Sequence, residues 1–335
     1  MKNIDLHLHL DGSLRIKTVL DLANKSNILV PQDEFLLSKM LKVSDNDIDL
    51  VDYLSKFGLP IKLMQDEESL YRVGFELIED LASENHIYAE IRFAPQLHTK
   101  MGMNCNDVIS FVNQGMQAAS NQYKMPYGLI ICAMRHNSVN DAKNIIDVAN
   151  KNIINNVVGV DLAGDEFNFP AINFKDAFSR SDLPITIHAG EARGSDSVRD
   201  AISMGAKRIG HGVRSIEDLN VIGDIVKNDI ILEICPTSNQ DTKMYNIKEE
   251  YPIKELINHG VKIALCTDNR TVSNTNLENE RDFLKKTFNL SQNDFHNFTK
   301  NSAEGMFSSN SIKKSILKQI DKNKIIKKNI DILII

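Results

Sequence analysis

A (β/α)8 barrel with a helical insertion after its first strand and an extra C-terminal helical segment is the fold this sequence predicts. Short apolar runs alternate with helix-patterned stretches of about ten to fifteen residues, the pattern of a parallel α/β sheet. About eight such runs occur, the number that closes a barrel. The chain has 335 residues, a length that α/β barrels reach as one domain, so residues 1–335 are expected to form a single catalytic domain.

The strand-like runs are Ile4–Leu10, Tyr88–Phe93, Gly128–Met134, Val157–Leu162, Ile185–His188, Arg208–His211, Ile230–Cys235 and Val261–Cys266. Several are fully apolar, as expected of strands covered on one face by helices and on the other by the barrel core. The first connection is far too long for a simple βα unit. Residues 27–66 read as inserted short helices whose apolar portion is Phe57, Leu59, Ile61, Leu63 and Met64. An insertion there lies on the C-terminal rim of a barrel, where it can lid a site or serve as packing. Further on, Ser195-Asp196 reads as the cap of a helix ending at Gly205, and Ser291 with Asp294 forms a capping-box pattern. The C-terminal extension, 311–335, alternates Lys with Ile and Leu from Lys313 onward. A basic amphipathic helix can bind membranes, but a terminal element packing on the barrel is the expectation.

Composition narrows the function classes. Hydrophobic residues make up 42% and charged residues 25%, ordinary for a globular protein with a substantial core. A net charge of −6 argues against a nucleic-acid surface. No apolar run is long enough to span a bilayer, and Met1-Lys2-Asn3-Ile4-Asp5 lacks the apolar core of a signal peptide. The expectation is a cytoplasmic protein, a monomer or weak homo-oligomer, with no membrane or nucleic-acid partner. Cys105, Cys132, Cys235 and Cys266 form no CxxC pair, and read as free thiols without disulfides.

The chemistry gathers where barrel enzymes keep it, at the C-terminal strand ends. His7 and His9 stand two apart on the first strand, so both imidazoles face one point. The fifth strand ends in His188-Ala189-Gly190-Glu191, the sixth in Gly210-His211-Gly212 and the eighth in Thr267-Asp268-Asn269. Three neutral imidazoles and a carboxylate suit zinc and leave room for a water. His7, His9, His188 and Asp268 are therefore assigned as ligands of one Zn2+. Zinc lowers the pKa of bound water to about 7. Glu191, three residues past a ligand, can reach a substrate without binding the metal, and His211 remains as base or electrostatic partner for the water. His86, His98, His136, His259 and His296 are read as satisfied core histidines.

With these residues in hand, the chain resembles the adenosine deaminases of the amidohydrolase superfamily. The resemblance rests on His7-Leu8-His9-Leu10-Asp11-Gly12-Ser13-Leu14, Met134-Arg135-His136, Asp161-Leu162-Ala163-Gly164-Asp165-Glu166, His188-Ala189-Gly190-Glu191, Ile209-Gly210-His211-Gly212, Cys235-Pro236-Thr237-Ser238-Asn239 and Thr267-Asp268-Asn269. These occur in family order over residues 4 to about 305, and His-Ala-Gly-Glu followed by Gly-His-Gly is specific in combination. The resemblance implies hydrolytic deamination of a purine nucleoside at C6 by a zinc-activated water, in purine salvage. It further implies that Glu191 protonates N1, that His211 takes the water's proton, and that Asp268 both ligates zinc and orients the nucleophile. His9 joins the substrate site, the Gly164 N–H donates to purine N3, and Asp11 binds a ribose hydroxyl.

One position departs from the pattern. The family's usual pair of acids at the eighth strand is here Asp268-Asn269. The second acid contacts purine N7, an acceptor to which an amide can donate without first being protonated; a turn cap is the competing reading of Asn269. The related adenine deaminases tend to carry Glu where this chain has Asp11, so the resemblance favours nucleoside over free base. A binuclear hydrolase would want a bridging lysine at the end of the fourth strand, where Val157–Gly164 offers none. The H-x-E with P-C-x-x-C framework of another zinc deaminase class is absent, since Cys235-Pro236 has no second cysteine to match. A catalytically silent nucleoside-binding protein would have lost a ligand or Glu191, and every position is filled.

Overall fold

In the computed structural model, which describes residues 1–44, 50–243 and 251–333, all eight expected strands are parallel. They are β1 (Asn3–His9), β2 (His86–Phe93), β3 (Tyr127–Met134), β4 (Val157–Ala163), β5 (Thr186–Ala189), β6 (Arg208–His211), β7 (Ile231–Ile234) and β8 (Lys262–Leu265). Two four-stranded sheets run β1-β2-β3-β4 and β5-β6-β7-β8. Bridges between Val160 and Ile185 and between Leu8 and Asp268 join them into a closed ring. The second seam is made by the site residues' own backbone: Asp268 N–H donates to the His7 carbonyl and His9 N–H to the Asp268 carbonyl, both at 2.8 Å.

Between β1 and β2 lie α1 (Ile16–Lys25), α2 (Glu34–Leu41), α3 (Leu50–Ser55) and α4 (Gly58–Leu63), then a long helix, Glu67–Ser83. Residues 45–49 of the expected insertion lie outside the described residues. Asp33 caps α2 by accepting from Leu36 N–H at 2.9 Å. Leu37, Leu41, Leu63 and Met64 join the main core, so part of the insertion is packing. The Ser291–Asp294 capping box is present with both reciprocal bonds. The other cap differs from expectation. Gly194 holds the N-cap position, Ser195 is already helical and the helix ends at Ser203; the turn that delivers Gly194 also delivers Glu191, and the site sets its course.

The barrel interior corrects the expectation of strands apolar on both faces. Asp5, His7 and His9 alternate with Leu6 and Leu8 on β1, Leu10 follows just past it, and all but His9 are fully buried. Side chains from opposite strands meet inside the ring. Arg92 on β2 donates to Asp161 on β4 at 3.0 Å, to Glu233 on β7 at 2.8 Å and to the Leu6 carbonyl at 2.7 Å. Arg208 on β6 pairs with Glu233 and with Glu90, each at 2.6 Å. Buried charges persist only when paired and hydrogen-bonded, and each of these five residues has an oppositely charged partner among the others. Their aliphatic neighbours on the strands face the helices instead.

The C-terminal helix, Asn310–Leu333, buries Ile316 and Ile320 against Ile4, Leu6, Ile231 and Met306. It thus packs on the barrel. Ile334 and Ile335 lie outside the described residues. Among the described residues no helix is long and apolar enough to cross a membrane, and all four cysteines are free.

Removing one partner of a buried pair leaves the other charge stranded, at a cost of about 3–5 kcal/mol. Arg92→Met is therefore expected to lower unfolding stability in urea by that amount, where an exposed arginine replaced in the same way changes little.

Candidate active site

Barrel closure gathers the expected residues around a cavity of about 360 Å3 at the C-terminal strand ends. His9, Asp11, Gly164, His188, Glu191, His211, Asp268 and Asn269 all line it. His7, the ninth expected residue, sits fully buried beneath. His9 and His188 meet Nε2 to Nε2 at 3.3 Å. Asp268 Oδ1 lies 3.4 Å from His7 Nε2 and 3.3 Å from His9 Nε2.

These groups fit a metal ion. One ligand atom from each of His7, His9, His188 and Asp268 falls within 4.8 Å of all the others. Among the described residues His7 Nε2 is buried without a hydrogen-bond partner, and it faces the other three candidate ligands, where an ion would satisfy it. The far side of each buried imidazole is anchored: His7 Nδ1 to Glu233 at 2.9 Å and His188 Nδ1 to Asp161 at 2.9 Å. Such carboxylates fix a ring's tautomer and leave Nε2 free to ligate. Burial pushes His9 and His188 below the ordinary imidazole range, which keeps them neutral and competent as ligands. For Asp268, burial raises the pKa, but His7, His9 and His211 together outweigh it and hold the carboxyl well below its usual range. Gly210 makes room for His7, since a Cβ there would lie 2.9 Å from His7 Cε1.

Glu191 and His211 face each other, Oε2 to Nε2 at 3.5 Å. Burial drives Glu191 well above the ordinary carboxyl range, and the negative charges of Asp268 and Glu166 push the same way. Burial likewise holds His211 well below the imidazole range. His211 and Asp268 both adopt left-handed backbone, with φ of 61° and 62°, a conformation non-glycine residues seldom take. The Asn239 carboxamide lies 3.1 Å from His211 Nδ1 and accepts from the Tyr251 hydroxyl at 3.0 Å. Ser238 donates to Asp268 Oδ2 at 2.6 Å.

Several functional contacts escaped the sequence reading. The Glu166 carboxylate accepts from the backbone N–H groups of Gly190, Glu191, Ala192 and Arg193 at 2.6–3.1 Å. That carboxylate fixes the turn bearing Glu191. Arg135 donates to the His188 carbonyl at 2.6 Å. Glu233, Arg92 and Arg208 were visible as charges within apolar strands, the one signal that could have found them. Two of the five remaining histidines are core residues as expected, each anchored through Nδ1, His86 to the Leu81 carbonyl and His98 to the Met64 carbonyl, with Nε2 unpartnered among the described residues. The expectation fails for the other three. His136 is exposed and lines the cavity, because it stands one residue past the buried Arg135 on the rim. His259 is exposed at a helix end and His296 half-buried on a helix flank.

Asn269 caps no backbone N–H with its side chain; its amide donates to the Tyr53 hydroxyl at 2.8 Å. Tyr53, Leu54, Phe57 and Ile61, from α3 to α4, also line the cavity.

With the geometry in place, comparison with known proteins is decisive. The adenosine deaminase family model matches residues 3–323. The chain belongs to the adenosine deaminase family. It is 40% identical over 321 residues to an adenosine deaminase of Clostridium perfringens, covering 94% of this chain and 97% of that one. An adenine deaminase from Arthrobacter aurescens shares the fold, with TM-score 0.87 and 22% identity over 95% of this chain and 98% of that one. So does an amidohydrolase from Burkholderia ambifaria solved with bound zinc, with TM-score 0.86 and 20% identity over 96% and 91%.

Glu166→Gln replaces a charged acceptor with a neutral amide whose N–H groups face other donors. It is expected to destabilise the fold by about 1.5–3 kcal/mol and to speed hydrogen exchange at Gly190–Arg193. Unchanged exchange there would mean the turn holds itself.

Proposed function

We propose that this protein deaminates adenosine, and 2′-deoxyadenosine, to inosine or deoxyinosine and ammonia, with one Zn2+ held by His7, His9, His188 and Asp268. The observation that carries the reading is the buried Glu191, pushed well above the ordinary carboxyl range, beside four convergent groups that could hold a metal. When bound, zinc supplies a water of lowered pKa at the site.

Each residue has a task. Glu191 holds a proton that it gives to purine N1, which breaks the ring's aromaticity and makes C6 electrophilic. An acid in a dry pocket keeps that proton at neutral pH. Water adds its oxygen to C6; one of its protons passes to His211 and then to the departing amino group, which leaves as ammonia, and its other proton returns to Glu191 as the C6 oxygen becomes a carbonyl. To accept at Nε2, His211 must carry its own proton on Nδ1. A half-turn of the Asn239 carboxamide places its oxygen there, with the Tyr251 hydroxyl then accepting instead of donating. Asp268 orients the water while Ser238 holds its second oxygen. Gly164, at φ 102°, lets its N–H approach purine N3 closely. Asp11, buried with an unpaired Oδ1, accepts from a ribose hydroxyl, and Asn269 donates to N7. His9 lies against the sugar side of the metal.

The described cavity lining contains no lysine or arginine, which suits a nucleoside better than a phosphorylated substrate. The 27–66 insertion acts as a lid, supported by the side chains that α3 and α4 extend over the cavity. We read residues 1–335 as one catalytic domain and place the enzyme in the cytoplasm, a monomer or weak homo-oligomer. The net charge of −6 fits a small-molecule substrate and not nucleic acid.

Ultraviolet assays of the zinc-loaded protein with adenosine, deoxyadenosine, adenine and AMP should show turnover of the two nucleosides. Activity on adenine alone would transfer the assignment to the free base, and inactivity on all four would remove it. Glu191→Gln should lower kcat by about 10²–10⁴-fold; near-normal turnover would disprove the proton-donor role.

A further inference from the structure

We propose that Tyr53 is a positioning residue for purine recognition: its hydroxyl fixes the Asn269 carboxamide so that an amide N–H faces a ring-nitrogen acceptor of the substrate. The proposal rests on the deaminase reading and adds a residue to it. Tyr53 comes from α3, more than 200 positions from Asn269 in the chain, yet the two meet at 2.8 Å, Asn269 Nδ2 donating to the hydroxyl oxygen. Both side chains line the cavity and both are 3% exposed.

An asparagine amide turns easily about its last torsion, and its two ends are opposite in hydrogen-bonding sense. Presented the wrong way, it would offer oxygen to an acceptor nitrogen and repel it. Two contacts remove that freedom. The Tyr53 hydroxyl lies 3.2 Å from Ser273 Oγ, a second partner that can take its single proton and leave its oxygen to accept from the Asn269 N–H. On the other side Asn269 is pressed against Gly12, where even a Cβ would stand 2.0 Å from Oδ1. Asn269 Oδ1 has no partner, and the second N–H of Nδ2 is not used by the bond to Tyr53. The carboxamide is thus held by one N–H with the other available to a ligand. A glycine at 12 and a tyrosine at 53 together make an asparagine work where the family usually places an acid.

The test is a double-mutant cycle with adenosine, run alongside competitive inhibition by 7-deazaadenosine, which lacks the N7 acceptor. Tyr53→Phe should lower kcat/KM for adenosine by about fivefold, the worth of one hydrogen bond. The same change in the Asn269→Ala background should cause no further loss, and the inhibition constant of 7-deazaadenosine should be unmoved by Tyr53→Phe. Equal losses in both backgrounds, or a matching weakening of 7-deazaadenosine, would mean that Tyr53 only holds its helix, and would overturn the proposal. A general loss of folded protein lowers kcat/KM equally in both backgrounds and leaves the inhibition constant unmoved, so the cycle, and not the inhibitor, separates it from the effect. A wild type inactive on adenosine removes the deaminase reading and this proposal with it; an active wild type with the second pattern removes this proposal alone.

Discussion

Two backbone hydrogen bonds, from Asp268 N–H to the His7 carbonyl and from His9 N–H to the Asp268 carbonyl, close the barrel between its first and last strands. The rest of the site depends on that seam. Residues separated by some 260 positions become neighbours in register, and their alternate side chains point inward together. Three of the four candidate ligands stand on this one seam, and His188 arrives from β5 across the ring. The left-handed backbone of Asp268 is the local strain this junction bears, of order 1–3 kcal/mol at such positions. It is tolerated because bonds on both sides leave no alternative.

Beneath the seam, the barrel replaces the usual aliphatic layers with paired charges. Arg92 holds Asp161 and Glu233 at once, and those carboxylates in turn hold His188 and His7. Orientation is therefore passed from the interior to the ligands through short, fully buried contacts. The same dryness acts differently on each titratable group above. It pushes His9, His188 and His211 below the ordinary imidazole range and Glu191 above the ordinary carboxyl range, driving acid and imidazoles within one small cavity toward their uncharged forms. Environment, more than residue type, separates the roles.

Much of this was legible before any coordinates. The strands announced themselves as short, largely apolar runs alternating with helix-patterned stretches, and the site histidines because they fall at strand ends. What stayed hidden was long-range. Glu166 belonged to a motif of the resemblance but had no role assigned, since nothing local says that four N–H groups 24–27 residues later will converge on it. Tyr53 lay in an insertion whose path no periodicity fixes. His136 was misread because a one-residue step past Arg135 moves a side chain from the core to the cavity rim. The Ser195 cap was placed one residue late for a related reason: the site, and not the helix, sets that turn.

The central claim is that one metal ion at the His7, His9, His188 and Asp268 cluster enables the chemistry that Glu191 and His211 carry out. Its most direct test is to strip the protein with a chelator and follow adenosine turnover as zinc is returned in measured amounts. The account predicts almost no activity without metal, then a linear rise that levels off at one zinc per chain. Full activity in the stripped protein, or a rise that continues to two equivalents, would contradict it.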